Sequence, residues 1–343
     1  MTDLATRYLG LELRCPLVAS ASPLSGTADG VRRLADSGVG AVVLPSLFEE
    51  QLRQQAARDA VVAGAGADSF AESLSYFPAA ASADSGPDRY LSLLERAVAA
   101  VDIPVIASLN GATTGGWTDY ASALQDVGAA AIELNIYYLP GDPPPASPSP
   151  FISGSDVERR HVEILTSVKA VVSVPVAVKL SPYFSSTAEM ARRLDQAGAD
   201  GLVLFNRFLQ PDIDPETLTV TLRPGLSAQA EGRLPRAWIA LLAGRVRACL
   251  AATTGVETAA DVAKYLLAGA DVVMTASALL RHGPGYAGVL LGELSDWMAR
   301  KGFGSVAEVR GLLSVPAGTD EAAYERAGFV TALDAANRGY GPW

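Results

Sequence analysis

The sequence predicts an α/β protein of the (β/α)8 (TIM) barrel class, a single domain over residues 1–343. Three observations carry the prediction. Eight short, continuously apolar runs alternate with longer Ala- and Leu-rich stretches of helical period. Such runs suit strands of a parallel sheet covered on both faces, and eight strand–helix units are the number that closes a barrel. A glycine recurs just ahead of the strands, at Gly38, Gly128, Gly198 and Gly269, where a helix has to end before the chain re-enters the sheet. Finally, Ser20-Ala21-Ser22-Pro23 follows the first run, where an open doubly wound sheet would carry GxGxxG.

The runs lie at 16–20, 40–44, 104–109, 130–134, 175–180, 201–205, 248–252 and 271–275. Helical patterns occupy 29–37, 118–127, 155–172, 186–197, 238–247 and 258–268, and a terminal helix is expected at 284–301. Two stretches break the rhythm. Residues 51–87 contain Ala-Gly-Ala-Gly-Ala and Ser-Gly-Pro, and 137–155 read YYLPGDPPPASPSPFISGS. Proline at that density excludes helix interior and central strand. Because it follows a strand C-terminus, this second stretch is expected to be a loop or lid over the active end of the barrel. The tail 302–343 is left unassigned and is compatible with an oligomer contact.

Hydrophobic residues make up 49% of the chain and charged ones 19%, enough for a large core. The net charge of −10 disfavours nucleic acid and anionic membranes as partners. No signal peptide or transmembrane run is evident, so a cytoplasmic enzyme is expected. The two cysteines, Cys15 and Cys249, and the two histidines, His161 and His282, leave no metal or iron–sulfur ligand set. Both cysteines read as buried small hydrophobes.

In a barrel of this kind, polar residues at strand C-termini are the functional candidates. They are Ser20, Ser22, Ser46, Asn110, Asn135, Lys179, Asn206, 253–255 and 275–277. The loops 253–258 and 276–279 both open helices with small residues, the pattern of a phosphate site, although Thr and Ser also cap helices. Lys179 closes an apolar strand, so its ammonium either faces the barrel mouth or snorkels out. At the mouth it could hold negative charge on a substrate oxygen or a reduced flavin ring. Asn135 and Asn206 offer donor and acceptor in one plane, which suits a ring edge.

The segments Cys15-Pro-Leu-Val-Ala-Ser-Ala-Ser22, Glu133-Leu-Asn135, Val178-Lys-Leu-Ser-Pro-Tyr-Phe184, Thr254-Gly-Val-Glu-Thr258 and Ala276-Ser-Ala-Leu279 resemble the dihydroorotate dehydrogenase family, nearer its soluble class 1 branch. The resemblance implies an FMN-binding barrel that oxidises dihydroorotate to orotate in pyrimidine biosynthesis and often forms a homodimer. It places Ser20, Ala21 and Ser22 along the isoalloxazine, Lys179 near the ring, and Asn135 and Asn206 at the flavin–substrate face. Thr254, Gly255, Ala276 and Ser277 would surround the phosphate, with Ser46 also on the cofactor side. Asn110, Asn135, Asn206 and Arg207 would read the substrate, Arg207 by pairing with a carboxylate.

Departures from the family pattern are specific. Tyr138 stands where the catalytic Cys is expected, and Pro140 where a substrate-binding Asn is expected. Pro45 replaces a lysine and Arg207 replaces a serine. Tyrosine titrates near ~10, against ~8.5 for cysteine, so Tyr138 as a base needs a depressed pKa; as a proton donor it needs none. Catalytic roles therefore fall to Tyr138 and Lys179. A divergent paralogue with another substrate, a non-redox phosphate-binding barrel using Lys179 as a Schiff-base lysine, and a flavin-binding partner without catalysis stay open. The electron acceptor stays open, and coupling to NAD or ferredoxin would need a partner because the chain carries no iron–sulfur ligand set.

Overall fold

The computed structural model describes residues 2–51, 86–111, 117–137, 151–207, 211–221, 225–316, 318–319 and 321–340. Most of the two rhythm-breaking stretches, with Tyr138 and Pro140, lies outside these residues.

The chain opens with a hairpin of β1 (Thr6–Tyr8) and β2 (Leu11–Leu13). Then come β3 (Leu17–Ala19), β4 (Ala41–Val43), a two-residue β5 (Leu47–Phe48), β6 (Val105–Gly111), β7 (Ala131–Ile136), β8 (Val176–Leu180) and β9 (Gly201–Leu204). A short antiparallel pair, β10 (Asp212–Asp214) and β11 (Thr219–Thr221), precedes β12 (Cys249–Ala252) and β13 (Val272–Thr275). Strands β3, β4, β6, β7, β8, β9, β12 and β13 pair in parallel, and β13 returns to β3 with Val273 opposite Leu17, so the sheet closes. The eight expected strands are these eight.

Alternation along each strand divides the apolar residues into two cores. Val18, Val43, Ile106, Ala131, Ala177, Val203, Ala251 and Met274 fill the barrel interior. Leu17, Val42, Ile132, Leu134, Val178, Leu202 and Val273 pack outward under the helices. This is why the strands read as unbroken apolar runs. The hairpin closes the N-terminal end of the barrel, with Tyr8, Leu9 and Leu13 in the inner core. Its turn has Leu9 and Gly10 both at positive φ, 53° and 77°. Gly201 makes room for it, since a Cβ there would lie 2.6 Å from Leu9 Cδ2.

The outer layer comprises α1 (Ala28–Asp36), α2 (Gly86–Ala100), α3 (Trp117–Asp126), α4 (Gly154–Lys169), α5 (Thr187–Gln196), α6 (Arg233–Leu242) and α7 (Ala259–Ala268). The chain continues with α8 (Ser277–His282), α9 (Tyr286–Lys301), α10 (Val306–Val309) and α11 (Glu321–Tyr340). The four recurring glycines have φ of 94–117°, as helix-ending residues in the left-handed region should. Helix α6 starts five residues earlier than expected because Pro235 sits in its first turn, where a missing N–H costs nothing. It also stops early, at Ala243, whose ψ of 123° leaves the helical region. The tail gains two helices, and Asp3 ties the chain start to it through hydrogen bonds with Gly304 and Val306. Among the described residues no helix is long and apolar enough to cross a membrane.

Candidate active site

At the C-terminal end of the barrel a cavity of about 160 Å3 opens between the ends of β3, β8, β9, β12 and β13. It brings together Ser20, Ala21, Lys179, Asn206, Arg207, Thr254, Ala276 and Ser277 from the sequence candidates. Among the described residues its lining holds two cations and no carboxylate.

One wall is the loop after β12. Thr254 and Gly255 are both left-handed, at φ 79° and 72°. The Tyr265 hydroxyl, from α7, donates to the Thr253 and Thr254 carbonyls at 3.1 and 2.6 Å, and the Thr254 hydroxyl donates to the Phe205 carbonyl. Gly255 is required here, since a Cβ would lie 2.5 Å from Gly232 N. Its N–H donates to the Ser227 hydroxyl at 3.2 Å. Ser227 in turn donates to Ser277 Oγ from both its N–H and its hydroxyl, at 3.0 and 2.9 Å. The loops after β12 and β13 thus converge, as expected, and Ser227 joins them as an unforeseen third contributor. Arg281 donates to the Ser227 carbonyl and pairs with Glu257, bracing this corner from outside.

The floor of the mouth comes from strand register. Asn110 on β6, Asn135 on β7 and Lys179 on β8 lie side by side as paired residues. All three are buried. Asn206 Nδ2 donates to Asn135 Oδ1 at 2.7 Å, which leaves the Asn135 amide N–H groups for a ligand edge. Lys179 Nζ donates to Glu133 Oε1 at 3.2 Å, and both side chains are buried, Glu133 to 1% exposure. Asn135 and Asn110 lie one and two strands aside from the cavity lining. Ser22 and Ser46 also lie outside it. The Ser22 hydroxyl accepts from Leu24 N, and the Ser46 and Ser108 hydroxyls bond each other at 2.8 Å.

Arg207 reaches the cavity, but its guanidinium donates to Glu231 at 3.0 Å and to the Gly225 carbonyl. A substrate carboxylate would have to compete with both. Of the residues missed by sequence reasoning, Ser227 gives no periodic signal. Glu133 gives one, as an acid inside an apolar run on the same strand face as Asn135. Cys15 is buried and its thiol is pushed up to about 11, first by burial, as fits a packing residue. Cys249 is half-buried.

The closed parallel barrel, with its polar side chains gathered at the C-terminal mouth, places the chain in the (β/α)8 class. Comparison with known proteins then specifies the family. Residues 3–298 match the dihydroorotate dehydrogenase family model, and the chain belongs to that family. It is 31% identical over 218 residues to the catalytic subunit of dihydroorotate dehydrogenase B (NAD(+)) of Halalkalibacterium halodurans, covering 62% of this chain and 69% of that protein. The corresponding subunit of Listeria innocua is 31% identical over 214 residues, covering 61% and 68%. A protein of Aeropyrum pernix, provisionally named dihydroorotate dehydrogenase A (fumarate), is 26% identical over 317 residues, covering 90% and 97%.

Proposed function

We propose that the chain is an FMN-dependent oxidoreductase acting on a CH–CH bond of dihydroorotate or of a related cyclic or conjugated carbonyl compound. The observation that carries this reading is the cavity beside Lys179, lined among the described residues by hydroxyl donors and two cations without a carboxylate. The donor set fits a phosphate-bearing cofactor. Ser227, Thr254, Gly255, Ala276 and Ser277 would hold the phosphate, and Ser20, Ala21, Ser22 and Ser46 would flank the ring. Small residues let a phosphate approach the backbone, and preorganised N–H groups favour its charge.

FMN, when bound, supplies the hydride acceptor or donor. The chain supplies position and charge. Asn110, Asn135 and Asn206 orient the polar edge of the substrate, and Lys179 holds negative charge near the ring. Its commitment to Glu133 works against the free amine that Schiff-base chemistry would need. Tyr138 handles the substrate proton in this reading, and Arg207 binds a carboxylate only by leaving Glu231. The reading places the enzyme in the cytoplasm, compatible with a homodimer. The chain's two cysteines assign any iron–sulfur acceptor to a separate partner.

The test is an anaerobic visible spectrum of the FMN-incubated protein before and after dihydroorotate. Flavin absorbance that bleaches on addition is the expected result for the parent activity. Flavin absorbance that persists with dihydroorotate and bleaches with a carboxylate-free dihydropyrimidine assigns the related-compound branch. No bound flavin sinks the proposal.

A further inference from the structure

Among the described residues, Glu133 and Lys179 place two opposite charges together on the inward face of the barrel strands. Glu133 is paired in register with Ser108 and Ala177, one inward-facing layer below Asn135 and Lys179. Its Oε1 takes the Lys179 ammonium at 3.2 Å, while its Oε2 is buried with no hydrogen-bond partner among the described residues. Beneath it the Tyr8 hydroxyl, on the hairpin that closes the barrel floor, is also buried and unpartnered. Burial first, then the Glu133 charge, pushes the Tyr8 pKa well above its usual value, so the phenol stays neutral under that carboxylate.

Burying an ion pair costs several kcal/mol per ion, and well-packed apolar residues in its place are often as stable or more so. Stability is therefore a poor reason for placing Glu133 here. The pair does have a functional geometry. The lysine stem rises from β8 toward the cavity, and the acid holds its head from below.

On the FMN reading above, we propose that Glu133 is a positioning residue for Lys179. Its carboxylate fixes the ammonium at the level of Asn135 and offsets its charge, so that the cation presented to the flavin ring is moderated from beneath. An unmoderated lysine would stabilise negative charge on the ring more strongly, and a displaced one would stabilise it less.

The variant Glu133→Gln keeps size and hydrogen bonding while removing the charge. In FMN-loaded protein it raises the flavin midpoint potential and tightens sulfite binding to the oxidised flavin, which places negative charge on the ring. The expected gain in sulfite affinity is on the order of tenfold. A second variant guards against misfolding. The double change Glu133→Leu with Lys179→Met replaces the pair by apolar side chains, so it folds, retains flavin and shows a potential below wild type. Flavin-bound variants with wild-type potential and sulfite affinity overturn this inference alone. Wild-type protein that binds no flavin overturns the functional reading and this inference with it.

Discussion

Ser227, Thr254 and Gly255 show how few atoms define the corner where the loops after β12 and β13 meet. Ser227 satisfies one N–H and engages Ser277 twice, so three chain segments meet on one hydroxyl. Gly255 is there for two reasons, its positive φ and the backbone of Gly232 packed against it. The variant Gly255→Ala meets Gly232 N at 2.5 Å and Gly232 Cα at 2.8 Å, so the loop has to move. The cost is about 1–3 kcal/mol of strain at least. The expected outcome is a lower thermal unfolding midpoint and weaker FMN binding, read by thermal melts and flavin fluorescence titration. Unchanged values would mean that the loop does not hold the phosphate.

Among the elements, α4 carries a pH dependence of its own. His161 Nδ1 donates to the Val157 carbonyl at 2.8 Å, one turn back, and the ring meets Phe184 edge-on. Nε2 is buried with no partner among the described residues. Burial lowers the His161 pKa, with the Val157 bond opposing it and Arg160 adding to it. A lowered histidine pKa means that the unfolded chain takes up the proton first. The stability is full above about pH 6.5 and is lost as pH falls toward the folded-state pKa. Urea unfolding at pH 7.5 and 5.5 should show wild type losing stability at the lower value, and His161→Leu losing less. Equal losses would rule His161 out as the source.

The same scale explains what the sequence made legible. The eight barrel strands were readable because each is apolar on both faces, and the four left-handed glycines marked the helix ends. Helix α6 begins ahead of its apolar pattern because a proline is tolerated in the first turn of a helix, where Pro235 sits. The β1–β2 hairpin was invisible, since three-residue strands carry no period and Leu9 is not a turn residue. Lys179, Asn206, Thr254, Ala276 and Ser277 line one cavity because strand C-termini converge in any barrel. Ser227 and Glu133 owe their places to tertiary neighbours, the first on an aperiodic segment and the second beneath the lysine that draws attention to itself.

At the scale of the whole molecule, the barrel is a stack of layers. Tyr8, Leu9 and Leu13 form its floor, the small and branched inner core lies above them, then the Glu133–Lys179 pair, then the amides. Polarity rises toward one end only. The hairpin covers the opposite end with Tyr8, Leu9 and Leu13, and among the described residues the C-terminal mouth is a polar opening of the barrel. On the FMN reading, two small reactants that both need the flavin and share that mouth use it in turn, the first product leaving before the second reactant enters. Steady-state rates measured against both reactants should give parallel lines in double-reciprocal form. Intersecting lines would mean that the second reactant has its own way in.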